Sequence, residues 1–136
     1  TRFGFLRNTA KIKKMIEVLK TIEPSINPGQ RVLELSVAQK QMVEIARAVA
    51  SESDVIIMDE PTAGLGVKQS REVLELLKEL GRKFAVIFIT HNLEYAFEVT
   101  QRAVVLCNGR VAGELKMDEV NHNQIVSLMM GVEQVA

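Results

Sequence analysis

The sequence has little of what builds a disulfide scaffold, an aromatic platform or a charged arm. One cysteine, Cys107, cannot pair within the chain, and a lone thiol is compatible with a reducing compartment. Tryptophan is absent and aromatic residues make up 4%, too few for a surface on which nucleic-acid bases stack. Neither sign of charge is in excess: 17 basic and 17 acidic residues cancel, and the pI is near 6.7. A nucleic-acid-binding domain usually shows a pI above ~9, so no nucleic-acid partner is expected. The early basic residues Arg2, Arg7, Lys11, Lys13 and Lys14 read as a solvated helix face. No apolar run approaches the ~20 residues of a membrane-spanning helix, and the first residues lack the apolar core of a signal peptide. What remains is ordinary globular usage, 47% hydrophobic and 25% charged, in 136 residues. At about 150 residues per domain, that is one domain or part of one.

Hydrophobic spacing divides the chain into elements. Ile12, Met15, Ile16 and Leu19 fall on one helical face, predicting a helix over 9–22 that closes at Glu23-Pro24. Pro24 to Gly29 is turn chemistry. Ser36 and Gln39 form a capping box that opens a second helix, whose Met42, Ile45, Ala46 and Val49 share a face to about Ser51. Val55 to Met58 is a continuous apolar run that predicts a strand buried on both faces and ending in Asp59-Glu60-Pro61. Val73, Leu76, Leu77 and Leu80 mark a third helix ended by Gly81, and Phe84 to Ile89 a second buried strand before Thr90-His91-Asn92. Strand, helix, strand predicts a parallel βαβ unit. Asn92 can cap a short helix through Val99; Asn108-Gly109 predicts a type I′ hairpin between 103–106 and 111–115; Ile125, Leu128, Met129 and Val132 mark a last helix docked on the sheet. The fold class is α/β.

Chemistry gathers at strand ends, where ligands of parallel sheets are usually held. Asp59 and Glu60 leave an apolar strand together. One carboxylate could hold Mg²⁺ while the other, aimed differently because strand side chains alternate, orients or deprotonates an attacking water. The same pair could equally end a strand in solvent. His91 lies 31 residues on, at the end of the next parallel strand, and could converge on the same crevice and hydrogen-bond a terminal phosphate. Taken alone it could be a loop or cap residue. The N–H groups at the helix start, with the Ser36 hydroxyl, could bind a phosphate, though a serine there is also simply a good cap. His122, among Asn121 and Asn123, reads as solvated surface. Phe84, Phe88 and Tyr95 read as core or interface, and Cys107 as a small buried hydrophobe.

Leu35-Ser36-Val37-Ala38-Gln39 through Ala48, then Val55 to Thr62, then Thr90-His91-Asn92, resembles the signature, Walker B and switch-histidine motifs of ATP-binding cassette (ABC) ATPases in order and spacing. The likeness runs from about Val32 to Gly113. Met42-Val43-Glu44-Ile45-Ala46 and Gly64-Leu65-Gly66-Val67-Lys68-Gln69 are similar to the ATPases of bacterial ribose-type monosaccharide importers. The resemblance implies a P-loop NTPase fold, with ATP and Mg²⁺ as cofactors. Glu60 would be the catalytic carboxylate, His91 the terminal-phosphate switch and Asp59 the magnesium-associated acid. Ser36, Val37, Ala38 and Gln39 would be the signature that clamps ATP held by a second cassette. It also implies a peripheral place on the cytoplasmic face of the membrane, an integral permease as partner, a second ATPase subunit or fused half, and indirectly a sugar-binding protein.

Three departures stand out. Val37-Ala38 replaces the signature's usual glycine pair, removing the closest backbone approach. Gly66 stands where the loop after Walker B usually carries an aspartate. None of the eight glycines is followed by lysine, so no phosphate-cradling Gly-Lys loop is present. The chain is therefore expected to be a fragment: 1–50 part of a helical subdomain and 51–136 the later half of the nucleotide-binding core, unable by itself to bind ATP productively and expected either to self-associate or to rest on contacts outside this chain. The sequence also admits two other readings, a non-catalytic interaction module of the same fold and an ABC-type ATPase of DNA maintenance. Balanced charge and the absence of coiled-coil heptads and metal-binding cysteines count against the second.

Overall fold

The computed structural model describes residues 2–51 and 53–132, with side chains from residue 9 onward. Arg2 and Arg7 of the basic group lie outside the described side chains. The chain forms two compact units, 1–89 and 90–136. This boundary is one of packing and is distinct from the subdomain boundary expected near residue 50.

In the first unit, α1 (Arg2–Ile22) begins earlier than the apolar stripe indicates. Its stripe is graded: Leu19 is buried, Met15 and Ile16 half-buried, and Ile12 exposed. Asn27 Oδ1 accepts from the Gly29 N–H in the turn that follows, and a single 3-10 turn, Val32–Glu34, leads to the next helix. That helix, α2 (Val37–Ala50), carries both halves of the expected capping box and packs on α1 through a face including buried Met42, Ile45 and Ala46.

Strand β1 (Val55–Asp59) follows, then α3 (Val67–Gly81) and β2 (Ala85–Ile89). The strands pair in parallel, Val55 opposite Ala85 through Asp59 opposite Ile89. Buried Val73, Leu74, Leu77 and Leu80 form the inner face of α3, which packs on β2. Gly81 is the last helical residue, and Arg82 is the C-cap.

The expectation of burial on both strand faces is not met. Ile56 and Met58 are buried, and their partners Val86 and Phe88 half-buried. The other face is bare, with Val55 48%, Ile57 64%, Ile87 49% and Ile89 48% exposed. A parallel sheet is normally covered on both sides, so a continuous apolar run looks the same in sequence whether or not the second cover is among the described residues.

In the second unit, α4 (Leu93–Val99) precedes a hairpin of β3 (Arg102–Cys107) and β4 (Arg110–Lys116), with an irregularity at Val105/Leu106. Asn108 and Gly109 have φ of +50° and +74°, the left-handed pair a type I′ turn requires. Helix α5 (His122–Met129) lies on the hairpin. A core of Val105, Ala112, Met117, Ile125 and Leu128 closes between them, and half-buried Cys107 packs against it as a small apolar group. At Gly113 an added Cβ would come within 3.1 Å of Leu128 Cδ1, so the missing side chain lets α5 approach β4. His122 is exposed, as expected, but its ring stacks on Phe97 with centroids 4.1 Å apart. No described helix is long and apolar enough to cross a membrane.

Candidate functional site

The acidic pair stands where β1 ends. Asp59, on the bare face with Val55 and Ile57, is exposed; Glu60, one residue beyond the strand, is half-buried. The strand alternation expected to aim the two acids differently does not extend to Glu60, which has left the strand with φ of +44°. Continued alternation would place residue 60 on the face of Ile56 and Met58. A turn carries the chain away instead. The Glu60 N–H donates to the Ile89 carbonyl at 2.9 Å, and the Ala63 N–H donates to the Glu60 carbonyl at 3.0 Å. Pro61 is fully buried and Thr62 nearly so, which anchors the loop.

The segment 36–39 lies beside that loop. A Cβ added at Gly64 would be 3.9 Å from Val37 Cγ1, so the turn after the acidic pair rests near the start of α2. Gly64 itself has φ of +72°, a value that suits glycine. The Ser36 hydroxyl accepts from the Gln39 N–H at 3.2 Å, and Gln39 Oε1 accepts from the Ser36 N–H at 3.1 Å. A hydroxyl that accepts in this way can still donate its own hydrogen to an anion. Ser36 and Val37 are exposed, and Ala38 and Gln39 half-buried. This start of α2 is thus a solvent-facing helix N-terminus, with the positive end of its dipole outward. Farther along α2, Gln41, Glu44 and Ala48 face Ile57 and Asp59 across an open cleft.

His91 opens the second unit. On either side of it, the Asn92 N–H donates to Thr90 Oγ1 at 3.0 Å, and Asn92 Oδ1 accepts from the Tyr95 N–H at 3.2 Å as the expected cap of α4. Two local side-chain bonds therefore set the backbone around an exposed imidazole.

Among the described residues no three His, Cys, Asp or Glu side chains gather as a metal cage. A hard cation such as Mg²⁺ is usually bound by one or two carboxylates together with phosphate and water oxygens. Asp59 can supply one such oxygen. Sequence reasoning noted Pro61 and Thr62 without seeing their burial and missed the left-handed φ of Glu60. Glycine at 64, just after a proline, was the available signal that the chain turns sharply here.

The family model described as "ABC transporter" matches residues 5–63. The "Ribose import ATP-binding protein RbsA 3" of Rubrobacter xylanophilus is 36% identical over 135 residues, which are 97% of this chain and 27% of that protein. The "Ribose import ATP-binding protein RbsA" of Shigella dysenteriae is 31% identical over 129 residues, 94% of this chain and 26% of its own length. Among solved structures, an ATP-binding cassette of an ABC transporter matches with a TM-score of 0.73 at 24% identity, over 86% of this chain and 49% of that one. A dimeric cassette in a post-hydrolysis state bound to ADP and Pi matches with a TM-score of 0.65 at 32% identity, over 77% of this chain and 46% of that one. The chain thus spans about a quarter of the curated relatives and about half of the solved cassettes. The resemblance carried by the motifs is upheld, and the chain has the sequence and the fold of part of an ABC-type ATP-binding cassette.

Proposed function

We propose that this chain is part of the ATP-hydrolysing subunit of an ABC importer for a monosaccharide. The observation that carries the reading is the pair Asp59-Glu60 at the C-terminal tip of a parallel strand, in register with the strand that leads to His91. ATP hydrolysis needs a group to orient and deprotonate the attacking water, and the negative charge at the reacting phosphate must be stabilised. The Glu60 carboxylate takes the proton of the water that attacks the terminal phosphorus; the bond to the bridging oxygen breaks, leaving ADP and phosphate. The His91 imidazole donates to an oxygen of the terminal phosphate. Asp59 would hold Mg²⁺, which would supply positive charge to offset that of the phosphates. Ser36 to Gln39 present the start of α2 to a nucleotide bound by a second cassette. Val37 and Ala38 make that approach less close than glycines would.

In this reading residues 1–50 belong to a helical subdomain and 51–136 to the later half of the nucleotide-binding core. The subunit lies on the cytoplasmic face of the membrane against an integral permease, and a sugar-binding protein delivers substrate to that permease. This chain alone, with no Gly-Lys loop, does not bind ATP productively. The names of the relatives, which are ribose import ATP-binding proteins, support the sugar. The test is Glu60→Gln in the intact protein. Hydrolysis should fall by about 10²- to 10⁴-fold, the worth of a general base, while ATP binding persists. Equal rates would remove Glu60 from the role.

A further inference from the structure

Two non-glycine residues among those described have positive φ, and they differ in kind. Asn108 is a residue type that tolerates this region, in a turn that demands it. Glu60, at +44°, is not such a type, and it precedes a proline, which favours extended backbone with negative φ in the residue before it. One residue therefore breaks two local rules. The surroundings hold it there. Its N–H is bound to Ile89, its carbonyl to Ala63, and the Pro61 ring is fully buried. The result is a residue that is half-buried, although the next position of the strand pattern belongs to the apolar face of Ile56 and Met58. Ionised carboxylates are costly on such a face.

We propose that this left-handed backbone, clamped between Pro61 and the main-chain bonds to Ile89 and Ala63, is a positioning device that turns the Glu60 carboxylate off the buried face of β1, at a cost in folding stability. The functional half rests on the reading of Glu60 as the catalytic carboxylate; the backbone half does not. Strain of this kind persists only where the neighbouring structure over-determines it, and it collects at working sites. Pro61 is the positioning residue, acting through its neighbour.

Two measurements on the intact protein test this. Glu60→Gly and Glu60→Ala both remove the carboxylate and differ in backbone freedom. In regular structure the glycine variant would be the less stable, its unfolding constant about 2- to 5-fold larger. Here chemical denaturation should show the reverse, with glycine about 5- to 30-fold less prone to unfold than alanine. Alanine equal to or above glycine would overturn the device. Separately, Pro61→Ala should lower kcat for ATP hydrolysis by about 10-fold or more and leave KM unchanged, since a small misplacement of a reacting group is costly to rate. An unchanged kcat would also overturn it. If Pro61→Ala does not fold, the glycine and alanine pair still decides. A Glu60→Gln protein that hydrolyses ATP normally would end the catalytic reading and leave the backbone comparison to stand or fall by itself.

Discussion

The two units solve the same problem, a two-stranded sheet with apolar strands, by different means. In residues 90–136 the strands are consecutive, joined by Asn108-Gly109, and α5 covers one hairpin face within the next few residues. In residues 1–89 the strands are parallel and need a crossover helix between them; α3 covers one face, and the face of Val55, Ile57, Ile87 and Ile89 stays bare. Antiparallel pairs close locally, whereas parallel strands depend on covers from distant sequence. The chemistry follows this division. Asp59 and Glu60 end a strand of the dependent kind, while His91 belongs to the unit that builds its own core.

The largest effect expected is on activity. His91→Ala should slow ATP hydrolysis by the intact protein by about 10²- to 10³-fold, the usual worth of one donor aimed at developing charge. An unaltered rate would remove His91 from the proposed role. Next, adjacent strand positions should behave unlike each other. In this chain Ile56→Ala should cost about 2–5 kcal/mol on denaturation, as a buried truncation, and Ile57→Ala no more than about 0.5 kcal/mol, as an exposed one. Equal costs would mean that the outer face is covered. In the second unit, Gly113→Ala should cost about 1–3 kcal/mol because Leu128 must give way, and a neutral result would show that α5 is loosely held. The smallest effects sharpen the comparison at matched caps. Ser36 and Asn121 each form a capping box, with Gln39 and Gln124 respectively, and alanine at either should cost about 0.5–2 kcal/mol. Thermal unfolding of the two variants shows whether the units rank their caps alike.

Much of the fold was legible because its signals are local. The Ser36-Gln39 box, the Asn92 cap and the Asn108-Gly109 turn each lie within a few residues, and each forms as read. The crossover was legible from two apolar runs separated by a helical stripe. What failed to show depends on distant partners or on the backbone itself. Ile57 and Ile56 are alike in sequence, and only tertiary cover separates them. The φ of Glu60 leaves no trace in a residue that prefers other conformations, since burial of Pro61 and the Ile89 carbonyl impose it from outside. The Asn121 cap went unread because His122 and its asparagine neighbours looked only polar. The acid pair Asp59-Glu60 and the segment 36–39 stand out in the sequence as candidates; the approach of Gly64 to Val37 does not.

The central proposal is that Asp59, Glu60 and His91 each act in the hydrolysis of a nucleotide's terminal phosphate. Its most direct test is a structure of the intact Glu60→Gln protein with ATP and Mg²⁺ bound. The account predicts residue 60 and the His91 imidazole both within hydrogen-bond reach, about 2.6–3.2 Å, of the terminal phosphate or its attacking water. Finding the two on opposite sides of the nucleotide-binding core, with the terminal phosphate touched by neither, would contradict it.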